Sequence, residues 1–326
     1  MEQFWVKTGA RIHLGQLDLS GSLGRLYGGI GLAIDQPALE LTVEKSNRLM
    51  IISPESEQRR IQNISKKYLE FYQLPGAKIN LRHFMPSHSG LGSGTQLALA
   101  LGFALTRVYQ LQPSLAELAG ITDRESSRSG IGVAAFAQGG FLLDGGVPVS
   151  QVTGKFKVPP LLTRIHFPEE WAIILALPDK EEKMFGLKEE KTFKSLLPME
   201  EHISGIISRL ILMKLLPGLI EKDLKSFGQA VTEIQKHLGN YFAPVQGGQY
   251  ACALGAKLSE YLLSQGAAGV GQSSWGPAIY GFTDQEKKAD LLESTRNFIG
   301  NRGRVWAVNG INHGANWGWR LVEEDK

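Results

Sequence analysis

The sequence predicts an α+β fold in two domains, and three observations carry that expectation. A chain of 326 residues suits one large domain or two of ordinary size. Segments with strand-like alternation and segments with helical spacing mix in both halves. They lack the strict strand–helix alternation of a doubly wound parallel sheet. Three prolines between 159 and 168 interrupt the pattern, which sets a boundary near 165 and domains of 1–165 and 166–326.

The elements follow in order. "FWVKTGARIHLGQLDL" alternates apolar and polar residues and reads as strand. "SGSLGRLYGGIGLAID" is a glycine-rich turn ending in strand, and "LELTVEK" continues as strand. "IQNISKKYLEFYQL" has helical spacing, with Ile61, Ile64, Tyr68 and Phe71 on one face. "AKINLRHFMP" is a strand. A helix from Ser93 to Tyr109 is apolar nearly all round and therefore buried. Ser114, with Glu117 three residues on, forms a capping box for "SLAELAGIT". "SGIGVAAFAQGG" is a short helix and "FLLDGG" a strand. In the second half "WAIILALP" reads as a buried strand and 179–198 as a polar loop, a candidate lid. Helices are expected at 199–216, 221–238 and 248–265, paired strands in "AAGVGQSS" and "GPAIYGF", a helix in "DQEKKADLLESTRNFI" and a last strand in "GRVWAVNG".

Composition narrows the function. A net charge of +3 with no run of five Lys or Arg argues against nucleic acid and for a few cations gathered at an anion site. A single cysteine, Cys252, excludes an internal disulfide framework, so a cytoplasmic setting is expected. The N-terminus lacks the pattern of a signal peptide, and "WAIILALP" is too short to span a bilayer, so no membrane partner is expected. The seven histidines are scattered without zinc-ligand spacing.

The most informative stretch is "PSHSGLGSGTQL", residues 86 to 97. Its glycines let backbone approach a ligand, and the helix behind it aims unpaired N–H groups and a positive dipole end at the loop. A phosphate is the natural guest. Ser87, Ser89, Gly90, Leu91, Gly92, Ser93, Gly94 and Thr95 are the candidate binding residues, the hydroxyls serving as donors. An ordinary N-cap turn at Ser93 is the plainer alternative. No lysine follows as in a Walker loop, and the spacing is not that of a dinucleotide site.

"PSHSGLGSGTQLALA" resembles the second motif of the GHMP superfamily of galacto-, homoserine, mevalonate and phosphomevalonate kinases. "TGARIHLGQLDL" stands where that superfamily has its first motif, and "GVGQSSWGPAIYGF" resembles its third. "ARIHLGQLDLSGSLGRLYGGIGLAID" is similar, more narrowly, to the N-terminal signature of the β-ribofuranosylaminobenzene 5′-phosphate synthase family. The resemblance implies an N-terminal domain like ribosomal protein S5 and a ferredoxin-like C-terminal domain. It also implies transfer of phosphoribose from 5-phosphoribosyl 1-pyrophosphate to 4-aminobenzoate or 4-hydroxybenzoate, releasing CO2 and pyrophosphate, early in methanopterin biosynthesis. Mg2+ and a homodimer are implied with it.

The alternative is an ATP-dependent small-molecule kinase of the same fold. Such kinases of the mevalonate and galactokinase type carry an aspartate after the phosphate-loop helix. The stretch that looks equivalent, "RSGIGVAAFAQGGF", has Gly132 there, and no carboxylate occurs between Glu125 and Asp144. That departure favours a reaction in which no hydroxyl is deprotonated.

The transferase chemistry needs anion cradles and cations. Gly271, Ser273, Ser274 and Gly276 are candidates for a second phosphate cradle, or a tight hairpin. Arg25 and Tyr27 are placed to meet ligand, with Gly28 and Gly29 admitting its approach; otherwise they are a solvated charge and a packed aromatic. Arg11 and His13, two apart on a strand, share a face. Arg11 or Arg25 is expected to grip the benzoate or a phosphate, while His13 assists the leaving group or is simply a half-buried strand histidine. Asp18 lies on the other face if the strand is unbroken. Asp18, Asp35 and Asp144 are candidate Mg2+ ligands, or turn residues. "NGINHGANWGW" either stacks an aromatic acid or caps the core.

Overall fold

The computed structural model describes residues 2–122, 129–151, 158–179 and 196–321. Its first sheet grows from two long antiparallel strands, β1 (Glu2–Asp18) and β2 (Arg25–Lys45), which pair from Phe4↔Val43 to Asp18↔Tyr27. Phe4, Val6, Ala10, Ile12 and Leu14 of β1 are buried in the core. Arg11 and His13 are consecutive members of the opposite face, as their spacing predicts.

The strand is not unbroken, however. A register shift between His13 and Gly15 inserts one residue and reverses the parity beyond it. His13 faces Gly31 and Asp18 faces Tyr27, residues of the same parity on β2. Asp18 therefore shares the face of Arg11 and His13, contrary to the expectation for a regular strand.

β3 (Leu49–Ile52) and β4 (Ala77–His83) complete one side of this sheet; β5 (Phe141–Asp144) and β6 (Val147–Pro148) pair with the first half of β2, and β7 (Leu161–Ile165) pairs with β5. Two main helices cover it. In α1 (Glu55–Phe71) the buried stripe is Ile61, Ile64, Tyr68 and Leu69; Phe71 stands out in solvent, so the face is turned slightly from the expected one. α2 (Ser93–Val108) is buried along nearly its whole length. Each of its buried Leu97, Leu99, Leu101 and Leu105 contributes about 1.5–3 kcal/mol of apolar burial, which fixes the helix and the loop in front of it. Tyr68 locks α2 from below: its one hydroxyl hydrogen lies between the carbonyls of Ala98 and Leu118, which the oxygen approaches to 3.0 and 2.9 Å. α3 (Leu115–Ile121) starts at Ser114, whose hydroxyl accepts from the Glu117 amide at 3.1 Å. Glu117 does not close the capping box, since its carboxylate accepts from the Tyr72 hydroxyl at 2.7 Å. α4 (Ile131–Gln138) follows as expected.

The second sheet runs β11–β8–β10–β9, with β8 (Trp171–Pro178), β9 (Gly269–Gln272), β10 (Ile279–Asp284) and β11 (Gly303–Val308), all antiparallel neighbours. Order 4-1-3-2 in this sheet is the ferredoxin-like arrangement. Its helices are α5 (Glu201–Ile220), α6 (Leu224–Gln246), α7 (Ala253–Ser264) and α8 (Lys288–Ile299). α5 is apolar and long enough by composition to cross a membrane, a property the chain lacks at "WAIILALP". Its Ser204, Ile207, Ile211, Leu215 and Leu219 form one buried stripe, the mark of an amphipathic helix on a core. Ile211–Leu215 widens to a π-turn just before Pro217, whose ring and missing N–H an ordinary helical turn cannot accommodate. Residues 180–195, most of the expected loop, lie outside the described residues.

The final strand differs from the expected one. After β11 the chain returns to the first sheet as β12 (Asn316–Leu321), pairing with β1 from Glu2↔Leu321 to Lys7↔Asn316. Trp317 stacks on Phe4 at 5.7 Å and Trp319 meets it edge-on at 5.1 Å. The boundary near 165 thus separates the two sheets only as far as β11.

Candidate active site

Strand β1, the loop 86–95 and the turn 273–278 meet at one place. The Arg11 amide donates to the Leu91 carbonyl at 3.1 Å, and Arg11 Nη1 donates to the Gly90 carbonyl at 2.6 Å. Ser273 Oγ donates to the same Gly90 carbonyl at 2.7 Å and accepts from the His13 amide at 2.9 Å. The Ser274 amide reaches the His13 carbonyl, and the Ala278 amide reaches Ser89 O, both at 3.3 Å. A side chain on Gly90 would overlap the Ser273 carbonyl, so the first and second sheets touch backbone to backbone here. Three stretches far apart in sequence therefore form a single site.

The loop ends at Gly92, which adopts φ +78° as the N-cap of α2. The carbonyl of Gly92 takes the amides of Thr95 and Gln96 at 3.0 and 3.1 Å. Beneath it lies Arg11: a Cβ on Gly92 would stand 3.1–3.2 Å from Arg11 Cγ, Cζ and Nε. Arg11 Nε is buried without a partner, and burial lowers the guanidinium to about 10. A cation thus underlies the positive end of the helix dipole, an arrangement whose charge suits an anion.

His13 is 7% exposed, and its ring makes no hydrogen bond among the described residues. Burial, and secondarily the charge of Arg11, lowers its pKa to about 3. It is therefore neutral at pH 7 in the ligand-free chain. What it offers a ligand is one ring N–H and one lone pair.

Each Ser or Thr hydroxyl has one hydrogen to give. That of Ser87 goes to Glu57 Oε1 at 3.1 Å, that of Ser89 to the Pro86 carbonyl at 2.8 Å, and that of Ser273 to Gly90. In this structure these three hydroxyl hydrogens are engaged in holding the loop. Ser93 accepts from Arg60 Nη2 at 3.3 Å and keeps its hydrogen; Thr95 and exposed Ser274 keep theirs. Arg60 and Glu57, which the sequence reading passed over, bridge the loop from α1. The helical turn Glu57–Arg60 is the signal that points to them, once α1 is known to begin beside the loop.

The expected second cradle is a strut. Gly271 leaves room for Gln235 and the ring of Tyr280, and Gly276 (φ +69°) for the Gln272 side chain. The glycines at 28 and 29 serve packing as well: Gly28 admits Leu17, and Gly29 admits Ser129 and the Asp144 carboxylate. Tyr27, at φ 74°, packs against the core. Arg25 donates from Nε and Nη2 to the carbonyls of Gly145 and Gly146, each at 2.7 Å, and braces the turn into β6.

The three nominated aspartates do not make a metal site. Asp18 caps its own turn, accepting from the Ser20 amide and hydroxyl at 2.6 Å; burial tends to raise its pKa, but bonds from Ser20, Gly21 and Ser204 hold it below the ordinary value. Asp35 clasps Asn309 through both oxygens at 2.9 and 3.0 Å. Asp144 is buried and takes bonds from Ser129, Gly130 and Gly146, with desolvation still pushing its pKa up. Among the described residues no three His, Cys, Asp or Glu side chains gather to hold a metal.

"NGINHGANWGW" caps the join between sheets. Besides Asn309, Asn312 bonds both backbone groups of Phe167 at 2.7 and 2.9 Å, and Arg164 donates to the Asn312 carbonyl. Gly132 of α4 packs on Thr95, and its carbonyl accepts from Gln96 Nε2 at 2.9 Å. Gly132, in the stretch that resembles the kinases' aspartate-bearing segment, thus lies against the 86–95 loop and carries no side chain.

The two domains with this loop between them are those of a GHMP-type protein. A GHMP kinases N-terminal domain model matches residues 59–140, and a GHMP kinases C-terminal model matches residues 215–298. The mevalonate kinase of L. major superposes with a TM-score of 0.69 at 13% identity, over 94% of this chain and 96% of that one. Homoserine kinase from Cytophaga hutchinsonii gives 0.64 at 17% identity over 97% of each. At these identities the likeness is one of fold. The sequence itself is nearer to a different activity. It is 33% identical to the β-ribofuranosylphenol 5′-phosphate synthase of Methanothermobacter thermautotrophicus, over 95% of this chain and 97% of that protein. It is 34% identical to that of Archaeoglobus fulgidus, over 91% and 93%. The chain belongs to the β-ribofuranosylphenol 5′-phosphate synthase family.

Proposed function

We propose that this protein is a decarboxylating phosphoribosyltransferase that joins 5-phosphoribosyl 1-pyrophosphate to a 4-substituted benzoate. The relatives' name specifies a phenol in the product, which favours 4-hydroxybenzoate over 4-aminobenzoate as acceptor. The observation that carries the reading is a phosphate-type loop set over a buried arginine and a neutral histidine, with no carboxylate at Gly132 to deprotonate an alcohol.

The reaction needs none. The bond from ribose C1 to the pyrophosphate oxygen breaks, and its electron pair leaves with pyrophosphate. The ring carbon bearing the carboxylate forms the new bond to C1. Loss of CO2 then returns an electron pair to the ring and restores aromaticity, so no proton is removed. The site's task is to hold the polyanionic donor and stabilise charge as C1 ionises. Amides of Leu91, Gly92 and Ser93, the hydroxyls of Ser93 and Thr95, and the charge of Arg11 supply this; His13 contributes a neutral hydrogen-bonding group. Magnesium belongs to the proposal as a companion of the pyrophosphate rather than of a carboxylate cage, and the homodimer belongs to it through the family resemblance.

Release of labelled CO2 from carboxyl-labelled 4-hydroxybenzoate, dependent on phosphoribosyl pyrophosphate, tests the reading, with 4-aminobenzoate run in parallel. ATP consumption driven by a small alcohol, without CO2, would instead establish a kinase, the activity of the more distant homoserine kinase relative.

A further inference from the structure

We propose that Arg60 is a positioning residue for the donor's pyrophosphate, acting through Ser93 and anchored by Glu57. The inference rests on the loop being the donor site. Glu57 is nearly buried, its side chain 5% exposed, and it lies one helical turn before Arg60 on α1. Its Oε2 accepts from Arg60 Nη1 at 3.2 Å, and its Oε1 takes the Ser87 hydroxyl hydrogen at 3.1 Å. Arg60 Nη1 also reaches Ser87 Oγ at 2.8 Å. One nitrogen of the guanidinium is thus fixed on both sides.

The other nitrogen, Nη2, reaches Ser93 Oγ at a looser 3.3 Å. Two consequences follow for Ser93. Because its oxygen accepts from a cation, the hydroxyl is polarised as a donor. Because the oxygen faces Arg60, its hydrogen must turn away from the guanidinium. Arg60 therefore selects one of the rotor positions open to an unpaired hydroxyl. At 25% side-chain exposure, its remaining N–H groups stay in reach of solvent and of a polyanion above the loop. Lysine cannot copy this arrangement, since an ammonium lacks the planar fork that contacts Ser87 and Ser93 from separate nitrogens. Neighbouring Arg59 is exposed and carries the same charge without these contacts.

The test measures inorganic pyrophosphate binding by calorimetry, in the full-length chain, for wild type, Arg60→Gln, Arg60→Lys, Ser93→Ala, the Arg60→Gln/Ser93→Ala double variant and Arg59→Gln. Arg60→Gln and Ser93→Ala should each weaken binding about tenfold or more. The double variant should be little worse than the weaker single, because both remove one unit. Arg60→Lys should fail to rescue, and Arg59→Gln should bind within about twofold of wild type, the effect expected of an exposed charge. Where CO2 release is present, Arg60→Gln should raise KM for the phosphoribosyl donor while KM for the benzoate stays near wild type. Losses that multiply in the double variant, equal weakening by Arg59→Gln, or a wild-type protein that does not bind pyrophosphate would overturn the proposal. Because binding is read without turnover, a kinase result would sink the transferase reading alone and leave the role of Arg60 standing.

Discussion

Acidification should unfold this protein partly through one residue, His13. In the folded chain its ring is desolvated beside Arg11 and protonates only near pH 3; in the unfolded chain it protonates near the ordinary histidine value of 6.5. Between those values the unfolded state binds one more proton, so stability rises with pH across this window. The contribution is fully present above pH 6.5 and falls as pH drops toward 3. At pH 4.5, two units below 6.5, the loss is about 2.7 kcal/mol at 1.36 kcal/mol per unit. His13→Gln removes the titration at whatever constant cost its packing carries. Urea midpoints for both proteins at pH 7 and 4.5 isolate the term, because only the change in their difference matters. Wild type should lose about 2–3 kcal/mol more than the variant on acidification. Parallel stability curves over that range would mean that His13 is charged, or solvated, in the folded chain.

Other perturbations probe the rest of the site. Gly92→Ala places a side chain at φ +78° and against Arg11, and should cost about 1–2 kcal/mol in urea denaturation while raising the donor KM, because the guanidinium shifts. Valine there should be worse for the same two reasons, rather than through direct contact with phosphate. Gly90→Ala drives Cβ into the Ser273 carbonyl, where neither backbone can yield, and should abolish CO2 release in a binding-competent assay. Tyr68→Phe removes this buried hydrogen bond behind α2 and should lower stability by about 1–3 kcal/mol, with a smaller effect on KM.

Much was determined by the sequence itself. The buried α2, the apolar β8, the glycine loop and the shared face of Arg11 and His13 all follow from periodicity and local backbone chemistry, which act over a few residues. The tertiary structure decided the rest. A single inserted residue after His13 moved Asp18 onto the face of Arg11 and His13, because strand parity depends on the register kept with a partner strand. The Asn- and Trp-rich C-terminal segment became a clasp and an edge strand only because β1 left an open ladder beside Phe4. Whether a serine is a ligand donor or a strut turns on where its one hydrogen goes, and the acceptors for Ser87, Ser89 and Ser273 lie on the neighbouring helix, the loop itself and the opposite domain. Hydrogen-bond partners are set by packing across long sequence separations, and no local pattern encodes them.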